Sequence, residues 1–174
     1  LAPIPRSLCD GDLRPRMLRS GGWWPFPMTS AISVRRSAWD AAGDIPECFR
    51  ISADAWLVGI YPFLGRVGAL PAALGFYRLH GNNNWTRELD AGLLARRMAH
   101  WRETVAVTNR FLEGRGIGDR LSLSDHWPLR LAEADLGGAG PVARLRLALQ
   151  GLRFAGEPNL LRRTRDAVRI VRRP

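Results

Sequence analysis

Apolar and polar residues alternate through Ala31-Ile32-Ser33-Val34-Arg35, the spacing of a half-buried strand. Ser37 stands where it can cap a short helix that reaches Ala42 and ends at Gly43. Asp44-Ile45-Pro46-Glu47 reads as a turn, and Ser52 then has the position of an N-cap for a helix from 53 to about 64, with Gly65 just past its end. Two short strands are predicted over 67–70 and 73–79, separated at Pro71. Beyond a Gly-Asn cluster the period changes. Leu93, Leu94, Met98, Trp101, Val105, Thr108 and Leu112 recur close to the helical repeat and predict a helix over 89–112, ended by Gly114, Gly116 and Gly118. Ser124 or Asp125 starts another that reaches Leu136, where Gly137-Gly138-Ala139-Gly140-Pro141 breaks it. Two arginine-rich helices, roughly 142–154 and 158–171, finish the chain. Residues 1–28 are rich in Pro and Gly and read as loop, with one short helix near 16–19. No internal repeat is present. The elements predict a small sheet with helices, followed by a helical annex.

A chain of 174 residues, 46% hydrophobic, can bury a respectable core and is long for one small domain. It holds no apolar run of 18 residues and no charged-then-apolar leader, so neither a membrane span nor a secretory signal is expected. Cys9 and Cys48 make no metal spacing and no disulfide framework, which suits reduced thiols in a cytoplasmic protein. The sequon Asn84-Trp85-Thr86 then reads as accidental. Charge changes the picture more. The net +10 comes from arginine alone, since lysine is absent. Residues 139–174 carry nine arginines against Glu157 and Asp166, whereas residues 1–138 carry seventeen against fourteen acids. The tail is a separate electrostatic object.

Candidate chemistry concentrates in two segments, Phe49-Arg50-Ile51-Ser52-Ala53-Asp54-Ala55-Trp56-Leu57 and Tyr77-Arg78-Leu79-His80-Gly81-Asn82-Asn83-Asn84-Trp85. Asp54 falls in the first turn of a predicted helix, where the backbone dipole favours a carboxylate. It is there either as a helix-capping residue or as a positioned proton acceptor. His80 ends a predicted strand, either as an ordinary strand-end residue or as a metal ligand. Arg78 shares its strand face at period two and is either a phosphate clamp or one more surface arginine. Asn82, Asn83 and Asn84 suit a turn, with Asn82 the one best placed to meet a sugar hydroxyl or a phosphate. Gly21-Gly22-Trp23-Trp24 can bring backbone N–H groups close to a ligand, and each Trp, like Trp56, can stack on a sugar or fill the core. Asp10-Gly11-Asp12 spells Asp-X-Asp, a short match with a high false-positive rate.

Together with Pro27-Met28-Thr29-Ser30-Ala31-Ile32-Ser33-Val34-Arg35-Arg36-Ser37-Ala38, these segments resemble the C-terminal half of a bacterial family 2 glycosyltransferase of the GT-A fold. The resemblance covers about residues 21–86. It implies an α/β fold, with 1–86 forming the C-terminal part of the catalytic domain, its donor-binding half missing, and 87–174 a helical extension with a basic tail. It implies inverting transfer of a sugar from a nucleotide-sugar donor to a hydroxyl on a glycan or lipid-linked acceptor, in cell-envelope polysaccharide synthesis. Asp54 would be the general base, although Ala53-Asp54 stands where the family has Glu-Asp. His80 would complete a site for Mg or Mn, Gly22, Thr29, Ser30 and Arg78 would bind donor, and Trp56 and Asn82 would bind acceptor. Asp12 lies only 17 residues before Thr29, too close for the family's own Asp-X-Asp metal pair. The chain begins at Leu1, and the isolated piece is expected to be inactive.

On a helix, Leu160, Leu161, Thr164, Ala167, Val168 and Val171 line one stripe among arginines. Such a segment, 158–173, either docks on an anionic membrane surface, giving a peripheral protein at the inner face of the plasma membrane, or packs on the body. The alternative to an enzyme is a basic helical module that binds nucleic acid or membrane without catalysis. No helix-turn-helix, zinc or RNA-binding signature supports the nucleic-acid reading, and no nucleic acid is expected as partner.

Overall fold

The computed structural model describes the chain except for residues 1–8, 25, 27, 28, 50, 51, 71, 73, 75–77, 79–89, 158, 173 and 174. In chain order the described helices are α1 (Arg14–Arg19), α2 (Arg36–Ala42), α3 (Asp54–Leu64), α4 (Ala91–Gly114), α5 (Trp127–Gly137), α6 (Pro141–Arg153) and α7 (Leu160–Arg172). A 3-10 turn occupies Thr29–Ala31. Helix starts and stops follow local chemistry. Asp90 caps α4 by accepting the Leu93 N–H at 2.6 Å, Pro128 and Pro141 sit in the first turns of α5 and α6, and Gly43, Gly65 and Gly138 close α2, α3 and α5.

The expected α/β architecture with a small sheet is not what this chain forms: no strand occurs among the described residues. A strand exists only when a neighbour takes up its N–H and C=O groups. Residues 32–35 find none among the described residues: Ile32 N–H turns back to Thr29 O at 3.1 Å, the Arg35 carbonyl accepts from the next helix, and Ile32 and Val34 are half-buried. The run 67–70 yields a single antiparallel bridge, Val67 with Gly11, braced by Ala69 N–H donating to Asp10 Oδ1 at 3.0 Å. Leu70 points outward, 77% exposed. Of the run 73–79, only Leu74 and Arg78 are described, and both lie outside regular structure.

The core is built on α4, whose 24 residues span about 36 Å. Met98, Val105, Thr108 and Leu112 from the predicted stripe are buried. One cluster joins Cys9, Leu13, Met17 and Trp24 to Val58 and Phe63 of α3, Val105 and Leu112 of α4, and Leu121. Residues on both sides of position 87 share it. A second cluster packs Ala42, Phe49, Trp56 and Ile60 on Val107. Gly59 permits the close approach of α3 to α4, since a Cβ there would sit 3.2 Å from Thr108 Oγ1. Asn109 clips the following segment with its amide, donating to Leu121 O at 2.9 Å and accepting Leu121 N–H at 2.8 Å.

Pro62 lies inside α3 and cannot donate to the carbonyl four residues earlier. That carbonyl, Val58 O, instead accepts the Trp24 indole N–H at 2.9 Å. The proline is therefore tolerated without leaving a buried acceptor unpaired.

α1 ends with Gly21 in left-handed backbone (φ 61°) and Gly22 N–H donating to Met17 O at 2.9 Å, a Schellman closure. Gly21 is buried against residues 122–126. The same closure ends α5, where Gly138 has φ 64° and Ala139 N–H donates to Ala134 O at 3.1 Å.

His126, not Ser124 or Asp125, caps α5: its Nδ1 accepts the Leu129 N–H at 3.1 Å. Trp23 and Trp101 enclose the ring at centroid distances of 5.6 and 5.3 Å. Burial pushes its pKa down to about 4, and protonation of Nδ1 would also abolish the cap. The folded pKa lies below the unfolded value of 6.5, so the unfolded chain binds the extra proton between those values. This contribution is complete above pH 6.5 and is lost as pH falls toward 4, about 3 kcal/mol in all. Urea melts at pH 7.5 and 4.5 should show that loss, and His126→Asn, which caps without titrating, should flatten the dependence. Equal slopes in both proteins would remove His126 as its source.

Candidate functional site

Asp54 opens α3, preceded by Ala53 in helical backbone and Ser52 at φ 58°. Ser52 does not act as a side-chain cap. Its carbonyl accepts the Ala55 N–H at 2.8 Å and the Ala53 carbonyl accepts the Trp56 N–H at 3.3 Å, so the first turn is closed by backbone alone. The Asp54 carboxylate is thereby left for other work. Thr29 Oγ1 donates to its Oδ2 at 2.6 Å, across 25 residues of chain. Oδ1 has no hydrogen bond among the described residues.

His100 of α4 feels the Asp54 charge. It is half-buried, and its ring meets Phe49 edge-on at 5.8 Å. Burial lowers its pKa, and the nearby Asp54 charge offsets part of that effect. Its ring is thus within electrostatic reach of the carboxylate. The sequence reading passed over His100, yet a signal existed. His100, Thr104, Val107 and Phe111 recur at i, i+4, i+7 and i+11, a second stripe beside the one recognised. Phe49, Trp56 and Ala42 pack with that stripe.

Only some of the other expected residues are described. Ser30 stands exposed in the same turn as Thr29. Trp56 is 3% exposed, edge-on to Phe111 at 5.3 Å, so its ring is a core side chain with no face turned to solvent. Its indole N–H is buried without a hydrogen-bond partner among the described residues, as are Tyr61 O–H and Thr108 Oγ1. Gly22 N–H is engaged at the end of α1, and a Cβ at Gly22 would lie 3.0 Å from Leu121 Cδ1. Arg78 is exposed outside any helix. His80 and Asn82 lie outside the described residues.

Among the described residues no three His, Cys, Asp or Glu side chains come together to hold a metal ion. Asp10 Oδ1 takes the Ala69 N–H, and Asp12 Oδ1 takes the Arg14 N–H at 3.0 Å.

The chain is similar to an uncharacterized glycosyltransferase of Nostoc sp. (strain PCC 7120 / SAG 25.82 / UTEX 2576), 34% identical over 116 residues. The match covers 65% of this chain and 36% of that protein's length. No family model matches the chain, and no solved structure matches it. The similarity ties the chain to glycosyltransferases at the level of sequence.

Proposed function

We propose that this chain contributes the acceptor-activating part of a glycosyltransferase, with Asp54 as general base. The contact that carries the reading is Thr29 Oγ1 to Asp54 Oδ2, 2.6 Å. It joins two segments that the sequence linked to one reaction, and Oδ1 keeps no hydrogen bond among the described residues. In the proposed step an acceptor hydroxyl donates its proton to Oδ1 while its oxygen bonds to the anomeric carbon of the donor sugar. The bond from that carbon to the nucleoside diphosphate breaks, and the diphosphate departs with the electron pair. Attack opposite the leaving group inverts the anomeric carbon, the family 2 outcome. Thr29 holds the carboxylate in one rotamer.

The donor is a nucleotide sugar and the acceptor a hydroxyl of a glycan or lipid-linked glycan. Any requirement for Mg or Mn would rest on His80 and on the diphosphate oxygens. The relative named a glycosyltransferase supports the reaction class.

The test is product formation by the full gene product from a panel of UDP-, GDP- and dTDP-sugars, with and without EDTA. Transfer from at least one donor is expected. Thr29→Val should lower kcat about 10-fold with KM nearly unchanged, since one hydrogen bond to a charged group is worth about 1.5 kcal/mol or more. Thr29→Ser should restore the rate. A folded protein that turns over none of the donors would defeat the proposal, as would a Thr29→Val variant with unaltered kcat.

A further inference from the structure

Helix α7 has two apolar faces, and only one is covered. Ala167 and Ile170 are buried against Leu147 and Ala148 of α6. The other face carries Leu160, Leu161, Thr164, Val168 and Val171 at i, i+1, i+4, i+8 and i+11. Its four aliphatics are 66%, 81%, 44% and 52% exposed. The stripe read from the sequence thus divides: Ala167 turns inward and the remainder faces solvent. α6 also presents Val142, Leu145 and Leu149 outward, at i, i+3 and i+7.

Cations border these aliphatics. Arg162, Arg165, Arg169 and Arg172 are all exposed on α7, as are Arg146 and Arg153 on α6. Arg165 is paired with Asp166 at 3.0 Å and Arg162 approaches Glu157 at 3.8 Å. Arg169 and Arg172 have no ion pair among the described residues. Residues 139–174 offer only those two acids to nine arginines. No described helix is long and apolar enough to cross a membrane.

We infer that the outer face of α7 docks on an anionic phospholipid surface, lying in the interface without crossing it. Two features select this occupant together. Phosphate headgroups answer the arginine excess, and the acyl boundary immediately beneath them takes up four exposed aliphatic side chains. Arginine stems can lie along apolar surface while their guanidinium groups stay at the headgroups. Nucleic acid would satisfy the charge but offers no hydrocarbon for Leu160, Leu161, Val168 and Val171. The inference does not depend on the transfer reaction proposed for Asp54.

The experiment is sedimentation of the 174-residue chain with vesicles of phosphatidylcholine alone and of phosphatidylcholine with phosphatidylglycerol at about 7:3. At least about 10-fold tighter partitioning to the anionic vesicles is expected, weakening as salt rises. Leu160→Ser with Leu161→Ser, both far from the core, should reduce binding about 10-fold or more at unchanged melting temperature. Arg169→Gln with Arg172→Gln should weaken binding and lessen its salt dependence. Failure to bind anionic vesicles would overturn the inference. So would full retention of binding in the leucine variant, which would mark a purely electrostatic surface. A duplex DNA that displaces the chain from vesicles with equal avidity for wild type and leucine variant would assign the face to nucleic acid instead.

Discussion

Asp54→Asn should lower glycosyl transfer about 10³-fold in the full gene product and leave its melting temperature unchanged. The amide matches the carboxylate in size, and its oxygen can still accept the Thr29 hydroxyl seen at 2.6 Å. It cannot take a proton from an incoming acceptor. A loss of that order corresponds to about 4 kcal/mol in the barrier, within the range that general bases supply. Donor binding, measured by thermal shift with the nucleotide sugar, should persist. A variant that folds, binds donor and retains transfer within a factor of three would remove Asp54 from the chemistry.

Gly21→Ala should be the most destabilising single substitution among the glycines that end helices. A Cβ at this position would lie 2.6 Å from His126 N, 2.6 Å from Ser122 O and 2.8 Å from His126 Cβ. Two of those atoms are backbone, so relief requires moving α1 away from the segment that carries the His126 cap. The left-handed backbone adds about 1 kcal/mol for any residue with a Cβ. Together with overpacking, the expected cost is about 3–5 kcal/mol, much of the margin of a typical domain. Gly138→Ala isolates the first term, since Gly138 ends α5 in the same way (φ 64°) with nothing within 4 Å of its Cβ position. It should cost about 1 kcal/mol. Urea midpoints for the two variants should differ accordingly; coincident midpoints would show that the 122–126 segment yields freely.

Helix positions were legible because their signals are local. The stripe from Leu93 to Leu112 and the glycines at 43, 65 and 138 act within a few residues, and the helices stand within two or three residues of expectation. The sheet was misread because a five-residue alternation such as 31–35 says nothing about a partner, and a partner is what makes a strand. Ser52 has the right identity for a cap but the wrong backbone, φ 58°, which its composition could not announce. His126 caps because Trp23 and Trp101 hold its ring, a tertiary arrangement across more than a hundred residues. In the candidate site, Asp54 and Thr29 were named from sequence and meet in space. His100 went unnoticed because its stripe mixes His, Thr, Val and Phe and looks less apolar than its neighbour. Trp56 was ambiguous between ligand and core, and the packing of Phe111 puts it in the core.

The indole bridge from Trp24 to the carbonyl left open by Pro62 has a mechanical corollary. One ring fills the interior and also mends a broken rung, which anchors the middle of α3 to residues 20–24 rather than to α3 alone. The far half of that helix is therefore a fixed post. The opening turn is held differently: Ser52 sits there in uncommon backbone, and the tie to the rest of the chain is the exposed hydrogen bond from Thr29 to Asp54.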